Sequence, residues 1–226
     1  MVTQCTKAET TVSTLDLWDG NNSICCFASN QGAGTMGEII TAPMTDSVLT
    51  SFTIVIGNNG SGPMPFRSYL AEWSGTMITG PILYRSPIQF SSTSSAFTTY
   101  TFNPNAILIP DAAYILFAAN AETEYAAYPG NLGMGYLGND IHHGVNAYLG
   151  GGMRFLPKGL PVSSWSTTPW LDPTAFGDSS PANDMPFSAT FSDVPEPANL
   201  SSSIIGITIL GLIPAWKRNA RSTAQC

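Results

Sequence analysis

Before residue 200 the chain contains no convincing amphipathic helix. Short runs in which apolar and polar residues alternate recur instead, separated by clusters of Gly, Pro, Asn and Ser, the pattern of strands joined by turns. In Ser51–Ile56, side chains 52, 54 and 56 (Phe52, Ile54, Ile56) fall on one face and Ser51, Thr53 and Val55 on the other, and the loop-forming residues 57–63 end the run. Further strands are predicted over Pro65–Trp73, over Ile82–Phe90 with a break at Pro87, over Phe97–Phe102 with Tyr100 and Phe102 facing one way, and over Phe187–Phe191. Ala113–Ala119 is apolar on both faces, which predicts a central strand of a packed sheet. Together these runs predict an all-β, jelly-roll-like two-sheet β-sandwich over residues 1–193. The stretch from Tyr125 to Asp184, with aromatic rings among Gly, Pro and Asn, reads as long loops at one end of that sandwich, where binding sites usually sit.

Composition narrows what such a domain does. Only 10% of residues are charged and 43% are hydrophobic, too apolar for disorder. Up to Pro197 there are five cations (Lys7, Arg67, Arg85, Arg154, Lys158) against all fifteen acids, a net charge of −10. That balance excludes nucleic acid as a partner and disfavours acidic membrane surfaces. About 190 residues suffice to bury a full core.

The C-terminal segment is of a different kind. Val194-Pro195-Glu196-Pro197 is followed by an uncharged, largely apolar run from Leu200 to Trp216, and then by Lys217, Arg218 and Arg221. As a helix rising about 1.5 Å per residue, the run reaches roughly 25 Å, enough to cross a thin bilayer. Leu200, Ile204, Ile205, Ile207, Ile209, Leu210, Leu212 and Trp216 would form this single transmembrane anchor. Basic residues follow the run and none precede it closely, so the C-terminus is expected in the cytoplasm and everything before Pro195 outside.

This order of parts, in residues 194–221, resembles the PEP-CTERM sorting signal of bacterial proteins handled by exosortase, a membrane transpeptidase. The resemblance implies that Pro195, Glu196 and Pro197 are the sorting motif, with Lys217, Arg218 and Arg221 as the stop-transfer end. It further implies an exosortase-type partner, a transient stay in the inner membrane, and delivery to the surface of a polysaccharide-producing cell. The helix departs from the pattern in its three leading serines and in Pro214, and the basic cluster is interrupted by Asn219 and Ala220. A second likeness joins Tyr69–Ser86, the preceding Ile39–Phe52 and the following Ala113–Phe117. Together they resemble ectodomains found ahead of such tails, similar in outline to carbohydrate-binding-module sandwiches. Met1–Thr11 has one Lys, one Glu and no apolar core, so it does not fit a signal peptide; a misplaced or missing start is expected.

Candidate chemistry is sparse. The four cysteines do not make a framework: Cys226 lies beyond the apolar run, and adjacent Cys25 and Cys26 cannot bond to each other without strain. A bridge from Cys5 to either of them would form in an oxidising compartment; otherwise they are small buried side chains. Asp16-Leu-Trp-Asp-Gly-Asn-Asn22 offers closely spaced oxygen ligands for a structural calcium, against the alternative of a plain turn. Asp140 and the two histidines, His142 and His143, would suit a metal or a general base, but neighbouring residues of a strand point to opposite faces. Trp73, Trp165 and Trp170 offer flat rings for stacking on sugars. No nucleophile elbow, zinc-protease motif or phosphate loop occurs. The acids Glu38, Asp46, Glu72, Asp111, Glu122 and Glu124 are scattered, with no evident pair. A noncatalytic exported surface or matrix protein, associating with exopolysaccharide and needing no cofactor, is therefore the leading expectation. A secreted glycan hydrolase is the alternative.

Overall fold

The computed structural model describes residues 9–27, 32–59, 62–93, 96–120, 130–138, 143–158 and 160–193. They form thirteen strands: β1 (Glu9–Ser13), β2 (Ser23–Phe27), β3 (Ala33–Thr41), β4 (Val48–Asn58), β5 (Pro65–Trp73), β6 (Ile78–Arg85), β7 (Gln89–Phe90), β8 (Thr98–Phe102), β9 (Ala106–Ile107), β10 (Ala113–Ala119), β11 (Leu132–Gly135), β12 (Gly152–Pro157) and β13 (Phe187–Ser192). The domain is all-β, a sandwich of two antiparallel layers. The tail lies in a separate unit, Pro195–Cys226, so its sorting motif, apolar run and basic end fall outside the described residues. Among the described residues no helix is long and apolar enough to cross a membrane.

The first layer is organised around β4. β13 and then β11 pair with one edge of it and β9 and β8 with the other, while β1 extends the layer beyond β13 and β2 beyond β11. The second layer runs β12-β3-β10-β5-β6, with β7 against the start of β5. One parallel pair, Phe27 with Ala33, links the layers.

The alternation predicted in β4 is present. Phe52, Ile54 and Ile56 enter the interlayer core while Ser51 and Thr53 face outward, half-buried. β13 repeats the pattern with Phe187, Ala189 and Phe191 inward, and in β8 Phe102 is buried with Tyr100 packed on the same core. The predicted run Ile82–Phe90 is two strands, because Pro87 brings no amide hydrogen to a ladder: β6 ends at Arg85 and β7 resumes at Gln89.

β10 is the central strand expected from its sequence, paired with β3 and β5. Its Tyr114, Leu116 and Ala118 face the first layer, and its Ile115, Phe117 and Ala119 face the other way. This outer face is not left to solvent. Residues 160–171 cross it, seating Trp165 and Trp170 on Ile39, Tyr69, Phe117 and Leu156. The stretch read as long loops thus contains two strands, β11 and β12, and a strap over the second layer. The short strands escaped notice because Leu132-Gly-Met-Gly135 and Gly152–Pro157 carry glycines that dilute the strand pattern.

Phe117 is the hub of this outer cluster. Its ring stacks on Tyr69 at 4.9 Å and meets Trp165 and Trp170 edge-on at 5.0 and 5.3 Å. Gly37, beside it on β3, leaves the room: a Cβ there would come within 2.4 Å of the Phe117 Cβ and 2.5 Å of the Leu116 carbonyl oxygen. Phe117→Ala is expected to lower stability by about 3–5 kcal/mol in urea denaturation. Thr99→Ala, on the exposed face of β8, should stay within about 0.5 kcal/mol.

Candidate functional site

The most unusual chemistry lies inside the sandwich. Glu38 sits on β3 between Met36 and Ile40, on the strand face that closes onto the first layer, and is fully buried. It meets Asp184, also fully buried, on the segment that leads into β13. The Glu38 Oε2 accepts a hydrogen bond from the Met185 amide at 2.9 Å. The Asp184 Oδ2 accepts from the amides of Ala147 and Tyr148 at 2.5 and 2.6 Å. The remaining oxygens, Glu38 Oε1 and Asp184 Oδ1, are buried without a hydrogen-bond partner. Two buried carboxylates cannot both carry charge at such a place.

The two environments settle which carboxyl holds the proton. Burial pushes the Glu38 carboxyl well above the usual range, and the neighbouring charge of Asp184 pushes it further. Burial also raises Asp184, but two amides and the neighbouring Glu38 carboxyl oppose the rise. Glu38 is therefore the carboxyl that stays protonated, and it is placed on β3 beside Asp184 at the approach to β13.

A second buried polar contact stands beside it. The Tyr136 hydroxyl donates to Asp178 Oδ2, and burial followed by that bond pushes the phenol far above its ordinary range. Burial acts to raise Asp178, but the bonds from Tyr136 and the amides of Ser179 and Ser180 outweigh it, and this carboxyl stays low. Tyr148, whose hydroxyl accepts from the Thr41 amide at 2.9 Å, ties the same region to the end of β3. These groups hold Tyr136 against Asp178, and Ala147 and Tyr148 against Asp184. Being fully buried, Glu38 and Asp184 offer no carboxyl to a substrate; their role in this conformation is structural.

The fold disperses the other candidates. Trp73, Trp165 and Trp170 are only 8, 3 and 5% exposed, in T-shaped contacts with Tyr69, Phe117 and, between Trp73 and Trp170, each other. Trp170 Nε1 donates to the Trp165 carbonyl at 3.0 Å. The expected sugar-stacking surface is thus corrected: a pyranose cannot reach these rings, which form the second core. Asp19, in the candidate calcium segment, spends its carboxylate on a turn, accepting from the amides of Asn21 and Asn22 at 2.9 and 2.8 Å and from Asn22 Nδ2 at 2.8 Å. These bonds hold it below the usual aspartate range. The plain-turn reading fits this geometry. Among the described residues no three His, Cys, Asp or Glu side chains gather as a metal group. His143 is exposed, and Asp140 and His142 lie outside the described residues, as do Glu122 and Glu124. Cys26 is disulfide-bonded, and its partner lies outside the side chains described.

Sequence reasoning missed the Glu38–Asp184 pair because 146 positions separate the two residues. One signal was present: Glu38 is the lone charge in Gly34-Thr-Met-Gly-Glu-Ile-Ile-Thr-Ala42, and an acid in such a run requires a buried partner.

No protein-family model matches this chain, and no curated protein matches it either. Among solved structures it is similar to the cysteine protease and lectin-like domains of Cwp84, a surface layer associated protein of Clostridium difficile, at a TM-score of 0.44 and 14% identity. That likeness covers 71% of this chain and 32% of the other, and at this level it carries no argument about activity.

The pair makes stability depend on pH. Because the folded protein holds the Glu38 proton more tightly than the unfolded chain does, its contribution is complete below the ordinary glutamate value of 4.5 and is lost as pH rises through the elevated folded value. Urea midpoints measured from pH 4.5 to 8 should fall for the wild type. They should be flatter for Glu38→Gln, whose amide keeps the size and polarity of the side chain without titrating.

Proposed function

We propose that this chain is a noncatalytic, exported surface or matrix protein: a jelly-roll-like ectodomain delivered and briefly anchored by a C-terminal PEP-CTERM-type signal with one transmembrane helix. The carrying observation is the order of parts at the domain boundary. The last strand, β13, ends at Ser192 and the folded unit at Val194, and Pro195-Glu196-Pro197, the uncharged run to Trp216 and the basic end follow at once. A motif to be cut by a membrane transpeptidase has to lie outside the folded core, and this one begins where the core stops. The disulfide at Cys26 also fits an oxidising compartment.

The surface reading fits the interior as well. Glycan hydrolysis by paired carboxyls needs both groups open to the sugar and to water, and the pair assembled by this fold is sealed between the layers. Association with exopolysaccharide would use surfaces other than the buried Trp73, Trp165 and Trp170.

In the native host, the processed species is expected to end near Pro197 and to fractionate away from the inner membrane, as read by intact mass. Pro195→Ala combined with Glu196→Ala should leave an uncut inner-membrane form. Unchanged processing of that variant, or a full-length wild-type chain retaining Cys226 in the cytosol, would overturn the proposal.

A further inference from the structure

The sequence holds three Asn-x-Ser triplets, beginning at Asn21, Asn59 and Asn199, the acceptor pattern for asparagine-linked glycans in exported proteins. The fold separates them. Asn199 lies outside the described residues, as does Ser61, the hydroxyl residue of the second triplet. Asn59 is exposed, but its Nδ2 lies against β11, where a Cβ on Gly133 would come within 3.0 Å of it. Asn21 stands differently. It is exposed at the crest of the turn before β2, with Asp19 and Gly20 exposed beside it. Gly20 takes a φ of +83°, and a Cβ there would meet nothing within 4 Å, so the space around the crest is open. The Asn21 backbone amide donates to Asp19 Oδ1 at 2.9 Å, while no bond among the described residues engages its side-chain amide. Asn22, the middle residue, is the anchor of the turn. Its carbonyl accepts from Trp18 Nε1 at 2.8 Å and from the Tyr136 amide at 3.0 Å, and its Nδ2 donates to Asp19 Oδ2 at 2.8 Å and to the Gly138 carbonyl. The turn thus pins Asn22 inward and leaves the Asn21 carboxamide pointing to no protein partner.

We propose that Asn21 is an N-glycosylation site, modified by an oligosaccharyl transferase during export. The inference rests on the exported reading above and gives association with sugar a covalent form, which the buried tryptophans do not supply. In the transfer, Asn21 Nδ2 bonds to the anomeric carbon of an oligosaccharide carried on a polyprenyl pyrophosphate. The bond from that carbon to the pyrophosphate oxygen breaks, the lipid pyrophosphate leaves with the electron pair, and the amide nitrogen releases one proton. Ser23 supplies the hydroxyl by which the acceptor is recognised. In the folded domain Ser23 pairs with Gly135 of β11, and the anchor of Asn22 on Gly138 lies 116 positions further along the chain. The triplet therefore emerges long before the partners that lock it, and it is open to the transferase until β11 arrives. Once the turn closes, the glycan stands out from the crest without displacing a protein contact.

The test is mass spectrometry of the full gene product purified from its own host, as intact protein and as the peptide that carries Asn21. The wild type is expected to exceed its sequence mass by a glycan, with fragmentation placing the added mass on Asn21. Asn21→Gln and Ser23→Ala should lose it to background, and Ser23→Thr should keep it. Made in cells lacking the transferase, wild type and Asn21→Gln should share one urea midpoint, which separates loss of the acceptor from loss of the fold. An exported chain ending near Pro197 whose Asn21 peptide has its bare sequence mass would overturn the inference and leave the sorting proposal standing. Glycan found at Asn59 or on hydroxyls with Asn21 bare would overturn it as well. A full-length chain retained in the cytosol would remove the exported reading and this site with it.

Discussion

The double-sided burial of β10 is the constraint on which the rest of the domain depends. Its backbone bonds are taken up by β3 and β5, and its side chains are shared between two cores. A strand buried on both faces requires cover on both, and one opposing sheet supplies only half. The strap carrying Trp165 and Trp170 supplies the rest, which explains why a chain with only 10% charged residues keeps so many of its rings away from solvent. Aromatic residues that suggest a binding platform when read singly are here the outer wall of the fold.

The same crowding accounts for the buried acids. β3 lies next to β10 and is closed in from both sides, so a glutamate on its inward face has no route to water. Asp184 meets it on a segment otherwise held by backbone bonds, including that from the Asp184 amide to the Val145 carbonyl at 3.2 Å. A protonated carboxyl beside Asp184 stands there in place of the apolar contact that a leucine would have made, while the Met185 amide donates to the Glu38 Oε2 and ties the segment before β13 to β3.

Much of this was legible in the residues and some was not, for separable reasons. Pro65–Trp73 and the doubly apolar Ala113–Ala119 match their sequence bounds because side-chain pattern and burial agree. The exposed residues of β8 and β4 were readable for the same reason, their threonines pairing across the outer surface as Thr53 does with Thr101 at 2.8 Å. The glycine-bearing strands β11 and β12 were hidden because their pairing is decided by distant partners rather than by their own pattern. The carboxyl pair was hidden because contact across 146 residues leaves no spacing to read. The tryptophans misled because a ring's chemistry is visible in a sequence while its neighbours are not.

β13 is clamped along its length, with β1 on one side and β4 on the other, both antiparallel. Antiparallel bonds lie across the strand axis, so a pull on the chain beyond Ser192 and along that axis loads them side by side rather than one after another. A domain hung by this strand resists traction in shear, with the load shared between the first strand of the fold and its longest. Tension applied to the chain beyond Ser192 would enter the structure through a seam loaded in shear, not at a hairpin that peels.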